Sequence, residues 1–188
     1  MKDIFKKALP DILAILLFVV IAVCYFSPAV PEGRILAQHD NVAGVGAGEE
    51  ARAFKEKTGK TTRWTNSLFS GMPTYQLAPS YSSTEVLSKT GRLYQLFLPN
   101  YIGLVFIMLF GFYILMRAFN FSVWLSALGA ILWAFSSYYF ILLVAGHIWK
   151  FVTLAYIPPT IAGLVLAYRG KYLWGGFLVA LFFGLQIL

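Results

Sequence analysis

Five apolar runs dominate the sequence, and each is close to the length of chain that crosses a membrane as a helix. A hydrocarbon core of about 30 Å requires roughly 20 apolar residues per helix. The runs lack the period-two alternation of membrane-barrel strands, and 59% of all residues are hydrophobic. The pattern therefore predicts an all-α polytopic membrane protein with about five transmembrane helices, at residues 10–27, 99–118, 121–145, 151–168 and 173–188.

Basic residues next to these runs predict the orientation of the chain. Because lysine and arginine are enriched in cytoplasmic segments, we expect a cytoplasmic N-terminus and an extracytoplasmic loop at residues 28–98. The net charge of +7 is spread over helix ends and one loop, which argues against nucleic-acid binding. The flanking basic residues that share the predicted cytoplasmic side are Lys2, Lys6, Lys7, Arg117, Arg169 and Lys171.

Three regions follow from this topology: residues 1–27 with the first span, the loop 28–98, and a bundle of four spans at 99–188. A loop of this length is usually functional. Within it, GEEARAFKEKTG (residues 48–59) predicts a short helix with acidic residues at its start and Gly59 at its end. The odd number of spans and the apolar end of the sequence predict the N-terminal piece of a longer enzyme, inactive on its own.

Asp40 is the carboxylate whose context most favours chemistry. Six of the eight acidic residues lie in the loop and none follows Glu85. Glu50 belongs to the predicted charged helix, where a solvated face is the simpler explanation. Asp40 lies in an uncharged run beside His39, where partial desolvation would strengthen it as a base. An Asx-turn or a helix cap is the structural alternative.

A second candidate group lies in the short predicted outer turn AGHIWK, which contains His147 and Lys150. A lysine on the outer side runs against the usual charge bias, and together with a histidine it could bind a phosphate. Alternatively, Trp149 and Lys150 are interfacial anchors and His147 faces water. The sequence contains no metal-binding motif and requires no cofactor, although His39 and Asp40 could share a divalent cation with ligands from elsewhere.

Three segments carry a resemblance to a known family: RILAQHDN, TRWTNSLFSGMPTYQ and AGHIWKFVTLAYIPPTIAGLVLAYRGKYLWGGFLVALFFGLQI. Together they resemble the YfhO family of bacterial membrane proteins, which are similar to the GT-C glycosyltransferases. The resemblance implies that Asp40 is the base that deprotonates the acceptor hydroxyl. It also implies substrate-binding roles for residues at matching positions, namely His39, Trp64, Asn66, Tyr75, His147 and Lys150.

The resulting hypothesis is a glycosyltransferase of the bacterial plasma membrane. It would transfer a sugar from a polyprenyl-phosphate carrier to an extracytoplasmic glycan or polymer acceptor of the cell envelope. A transporter or flippase for a lipid-linked precursor is the main alternative, although the span interiors lack the charged residues typical of transport. A non-catalytic assembly protein is the third, and it predicts that Asp40 is dispensable.

Overall fold

The computed structural model describes residues 2–27, 32–34, 36–76 and 84–187. Parts of two predictions, namely residues 28–31, 35 and 77–83 of the loop and residue 188 of the last run, lie outside these residues. The described chain is helical except for one two-stranded antiparallel sheet, β1 (Trp64–Thr65) with β2 (Met72–Pro73). The helices are α1 (Lys2–Tyr25), α2 (His39–Ala47), α3 (Glu49–Thr58), α4 (Glu85–Tyr94), α5 (Asn100–Ala118), α6 (Val123–Ala134), α7 (Ser137–Ala145), α8 (Ile148–Tyr168) and α9 (Tyr172–Ile187).

The prediction of an all-α, membrane-embedded protein is confirmed. Within the described residues, α1, α5 and α8 are each long and apolar enough to cross a membrane. α6 and α7 pass the same test together and count as a fourth span if they cross as one unit, although they meet at a bend of 47° around Phe135 and Ser136. α9 is apolar but has only 16 residues, so the structure supports three to four spans and the count of five stays a prediction.

α5 is the central helix of the bundle and packs against α1, α6 and α8. From α1 it receives an apolar stripe formed by Ala14, Phe18 and Ala22, all fully buried. Their spacing of four residues places them on one face of the helix. The ring of Phe18 meets the ring of Tyr113 on α5 edge to face at 5.4 Å, which is a favourable geometry for aromatic pairs.

Small residues bring the helices close together where α8 packs against α5 and α9. A Cβ atom added at Gly111 would lie 2.5 Å from the Ala155 carbonyl oxygen. Likewise, a Cβ at Gly163 would lie 2.8 Å from the Gly175 carbonyl oxygen. Membrane helices associate largely through such close backbone packing, so these glycines fix how α8 sits in the bundle.

One end of the bundle, called here the basic end, is tied together by Asp11. Its Oδ1 accepts hydrogen bonds from the Tyr113 hydroxyl at 2.5 Å and from Arg117 Nε at 2.9 Å. Arg117 also donates to the Phe121 carbonyl at 2.7 Å, and Arg169 donates to the Ala118 carbonyl. These contacts join α1 to α5, and they also join the end of α5 to the turn that follows it and to the end of α8.

The opposite end, called here the loop end, carries α2, α3, the β-hairpin and α4. The predicted helix at 48–59 is confirmed as α3, which begins at Glu49 and ends at Thr58. Gly59 follows it with φ 67° and donates its N–H to the Lys55 carbonyl at 2.8 Å. This left-handed conformation is one that glycine adopts without strain.

Candidate functional site

The first turn of α2 is seated on the turn between α7 and α8. Gln38, 2% exposed, precedes α2 and donates its side-chain N–H to the Leu143 carbonyl. The Asn41 side chain in turn donates to Gln38 Oε1. A buried amide with both ends hydrogen-bonded resists displacement, since breaking it would leave buried polar atoms unpaired. The pair therefore holds the start of the loop against the bundle.

Gly146 makes this seating possible. It has φ 94°, and a Cβ atom built on it would lie 3.2 Å from Gln38 Cβ and 3.3 Å from Asp40 Cβ. Both the conformation and the space favour glycine at this position. The backbone of α2 can thus approach the α7–α8 turn closely enough for side chains of the two segments to meet.

Asp40 and His147 meet at this contact. His147 Nδ1 lies 3.2 Å from Asp40 Oδ2, and the two side chains are 54% and 55% exposed. The sequence suggested desolvation next to His39 as the source of reactivity at Asp40. Asp40 is instead more than half exposed, and its imidazole partner is His147, from a distant part of the chain.

An open groove of about 790 Å³ surrounds this pair. Lys150 also lines it, so one carboxylate and two basic side chains converge on the same space. The Lys150 ammonium lies 5.7 Å from the centroid of the Tyr138 ring, a distance at which cation–π attraction positions a cation. Among the described residues that line the groove, Asp40 is the only acidic one.

This arrangement can bind an anion and accept a proton at neighbouring positions. When Nδ1 of His147 carries a proton, it can donate to Asp40 while Nε2 remains available to a ligand. Asp40 Oδ1 is likewise available to a hydroxyl in the groove. Lys150 contributes a fixed positive charge to the same space, which suits a phosphate.

The remaining predicted site residues do not line the groove. His39 is the first residue of α2 and is exposed. Trp64, Asn66 and Tyr75 belong to the hairpin region, where Trp64 and Tyr75 are 53% and 65% exposed. The structure thus brings together Asp40, His147 and Lys150 and leaves the other four apart from them.

Asn66 has a structural partner that the sequence did not reveal, the carboxylate of Glu50 on α3. Glu50 accepts five hydrogen bonds, from the hydroxyl groups of Thr65 and Ser67, from the backbone N–H groups of Asn66 and Ser67, and from the Asn66 side chain. These bonds, that of the Thr65 hydroxyl foremost, lower the pKa of Glu50 from its usual value to about 2. Glu50 therefore fastens α3 to the hairpin, instead of lying on a merely solvated face.

Trp64 and Gly71 complete this hairpin. Trp64 Nε1 donates to Asn66 Oδ1 at 3.2 Å, and a Cβ at Gly71 would lie 2.8 Å from the Trp64 ring. Gly71 has φ 125°, so glycine is required both by its conformation and by the ring above it. Much of the W-x-N-x-x-F-x-G-M-P-x-Y motif is accounted for by these contacts, which form a small folded unit.

No metal cluster is evident at the site. Over residues 2–27, 32–34, 36–76 and 84–187, no group of three or more histidine, cysteine, aspartate or glutamate side chains could hold a metal ion. A divalent cation bound through His39 and Asp40 stays a prediction, and it would need ligands beyond this set.

The fold and the groove define an all-α, membrane-embedded protein with a carboxylate–imidazole pair at one end of its bundle. The chain matches no family model, no curated protein and no solved structure. The resemblance to the YfhO family therefore stays a prediction based on sequence motifs.

Proposed function

We propose that the protein is a membrane glycosyltransferase that transfers a sugar from a polyprenyl-phosphate carrier to an extracytoplasmic acceptor, as the N-terminal part of a longer enzyme. The observation that carries the proposal is the meeting of Asp40, His147 and Lys150 in one groove at the loop end. These three side chains supply a base, an imidazole that contacts it, and a cation for the departing phosphate. In this proposal the loop end faces away from the cytoplasm of a bacterial cell, as the positive-inside rule indicates.

In the proposed reaction, the acceptor hydroxyl attacks the anomeric carbon of the sugar on the face opposite the phosphate. A new C–O bond to the acceptor forms as the C–O bond to the phosphate breaks, and the electron pair leaves with the phosphate. Asp40 takes the acceptor proton, as the single carboxylate that an inverting transfer needs. Lys150 stabilises the negative charge on the departing phosphate, and His147, 3.2 Å from Asp40, holds that carboxylate on the attacking side.

The exposed aromatic rings of the hairpin have a place in this proposal. Trp64 and Tyr75 present open faces on which a sugar ring or an acceptor glycan could stack. His39 would contact the substrate from the start of α2. These roles require the acceptor to span from the hairpin to the groove.

The experiment uses the full-length protein in nanodiscs and measures consumption of a panel of polyprenyl-phosphate sugars. We expect Asp40→Asn to lower turnover by about 10²- to 10⁴-fold, the usual contribution of a general base, while donor binding remains. Glu49→Gln is the matched control, because it removes another exposed loop carboxylate that pairs only loosely with Arg52, at 3.8 Å. Normal turnover by Asp40→Asn would remove Asp40 from the mechanism and favour an assembly role.

A transporter or flippase for a lipid-linked precursor is the second candidate, and the bend between α6 and α7 favours it. Discontinuous helices are a recurrent feature of transporter binding sites, and the 47° bend falls within an otherwise apolar span. Reconstitution into liposomes separates the two proposals. Movement of a labelled lipid-linked sugar across the bilayer without its consumption would support transport over transfer.

A further inference from the structure

A second cavity, of about 340 Å³, lies between α4, α8 and α9 and adjoins the groove. The two spaces share Asn41 and Trp149 as lining residues. Most ligand cavities in proteins have a volume of about 300–1,000 Å³, so this one is large enough to hold a small head group. Unlike the rest of the bundle it has many polar lining residues, including Ser88, Arg92, Gln95, Thr153 and Gln186.

α4 presents three polar side chains to this cavity and two apolar side chains on its opposite side. Ser88, Arg92 and Gln95 lie on the cavity side at helical spacing. On the opposite face, Val86 and Leu93 are 74% and 60% exposed. Two further apolar side chains of α4, Leu87 and Tyr94, pack against the core of the bundle. The polar side chains of α4 are therefore held next to the cavity, where they can contact a ligand.

Among the described residues that line the cavity, Arg92 is the only charged one. Among the residues that the structure describes, the salt bridges are made by other basic side chains, and Arg92 takes part in none of them. Lys89, one turn earlier on α4, is instead paired with Glu85 at 2.8 Å. Arg92 is exposed, so its guanidinium group is open to an anion that enters the cavity.

We propose that this cavity binds the phosphate head group of a membrane lipid, with Arg92 as its counter-ion. The guanidinium group matches phosphate with two parallel hydrogen bonds, and the hydroxyl groups of Ser88 and Thr153 lie in the same lining. The apolar tail lies against the apolar part of the lining, formed by Leu104, Ile148 and Val152. Identifying this lipid as the sugar carrier rests on the proposed function, whereas the binding of a lipid phosphate does not.

The test measures binding to the full-length protein in detergent by isothermal titration calorimetry. The probes are dihexanoyl phosphatidic acid, dihexanoyl phosphatidylcholine and inorganic phosphate. Arg92→Gln should weaken binding of the phosphatidic acid by about tenfold or more, since a charge-assisted pair is lost. Arg92→Lys keeps the charge and should lose less. Lys89→Gln is the matched control, because it removes a cation of the same helix that is paired with Glu85 and does not line the cavity, so it should bind like the unchanged protein.

The outcomes separate the ligand sources and the two proposals. If phosphatidic acid binding depends on Arg92 and inorganic phosphate binds weakly, the cavity is a lipid site. If inorganic phosphate binds as tightly and with the same dependence on Arg92, the cavity is an anion site whose ligand is free phosphate. Unchanged affinity in Arg92→Gln, or an equal loss in Lys89→Gln, overturns the proposal. Asp40→Asn should bind the lipid normally, so a failure of the proposed transfer reaction leaves this result unaffected. Size-exclusion profiles and melting curves confirm that each variant is folded.

Discussion

The two ends of the bundle each contain a carboxylate paired with a basic side chain from a distant segment, but the pairs differ in what else they contact. At the basic end, Asp11 accepts hydrogen bonds from both Arg117 and Tyr113 and is 32% exposed on its side chain. At the loop end, Asp40 meets His147 alone among the described residues and is 55% exposed. A carboxylate with several donors is a structural fastening, whereas one with unused lone pairs in an open groove can act on a ligand.

The two pairs also differ in the basic side chain that contacts the carboxylate. Arg117 is always charged and holds Asp11 permanently, which suits a junction between helices. His147 contacts Asp40 through Nδ1 and has a second ring nitrogen that can hydrogen-bond to a substrate. The two sites share a geometry and differ in whether the basic side chain has an atom available to a ligand.

Among the variants that distinguish the two ends of the bundle, a substitution of His147 should have the largest effect on turnover. Replacement by glutamine removes the imidazole but keeps a polar side chain, and we expect turnover of the full-length protein to fall about 100-fold, the lower end of the usual contribution of a general base, because Asp40 loses the ring that holds it. Its thermal unfolding should be unchanged, because the side chain is exposed. Steady-state rates and melting curves on the same preparation provide the measurement. A lower melting temperature with normal turnover would make the loop-end pair structural, like that of Asp11.

Asp11 should behave in the opposite way. Asp11→Ala leaves Arg117 and the Tyr113 hydroxyl without their partner, and we expect the free energy of unfolding to fall by about 1–3 kcal/mol, with unchanged turnover per folded molecule. Denaturant titration in detergent measures the stability loss. Tyr113→Phe, which removes only one of the donors, should cost less, about 1 kcal/mol. A loss of turnover without a loss of stability would contradict a structural role.

Gly146 and Gly170 offer a matched pair of substitutions at the two ends. Both have positive φ angles, 94° and 79°, but a Cβ at Gly170 meets nothing within 4 Å, whereas one at Gly146 meets Gln38 and Asp40. Alanine at Gly170 should cost about 1 kcal/mol from backbone strain. Alanine at Gly146 should cost more and should also raise hydrogen exchange across α2, as measured by mass spectrometry. Equal effects on α2 would show that the loop is not seated through Gly146.

The smallest and most local effect is expected at Glu50. Glu50→Gln removes the negative charge and replaces one of the two acceptor oxygens with a donor, so exchange should rise across residues 61–76 while the bundle is unaffected. Because the pKa of Glu50 is lowered from 4.5 to about 2 in the folded protein, its stabilisation is fully present above pH about 5 and is lost as pH falls towards 2. Hydrogen exchange of the hairpin between pH 6 and pH 3, corrected for intrinsic rates, should show this loss in the unchanged protein and not in Glu50→Gln.

The sequence predicted those features that depend on local patterns. Apolar length predicted α1, α5 and α8, and the acidic start and terminal glycine predicted α3. The bend around Phe135 and Ser136 could not be predicted, because neither proline nor glycine marks it and the apolar run continues through it.

The sequence identified the site residues one by one, but it did not show which of them lie together. Asp40 and His147 were each identified from their local contexts, but their contact depends on the packing of α2 against a turn far away in sequence. The role of Glu50 was missed for the same reason. Its hydrogen-bond donors lie between Thr65 and Ser67, in the hairpin, whereas α3 ends at Thr58. Arg92 gave no signal, because its significance depends on which way α4 faces.

The hydrogen bond from Gln38 to Leu143 has a consequence for biogenesis. The two residues are 105 positions apart, and at the usual rate of synthesis of about 5–20 residues per second the second follows the first by roughly 5–20 s. Throughout that interval the nascent loop has emerged without its docking partner, and Gln38 is still hydrated. Asp40 and His147 can therefore come together only after α7 and the following turn have been inserted, which makes assembly of the groove a late step in the maturation of the protein.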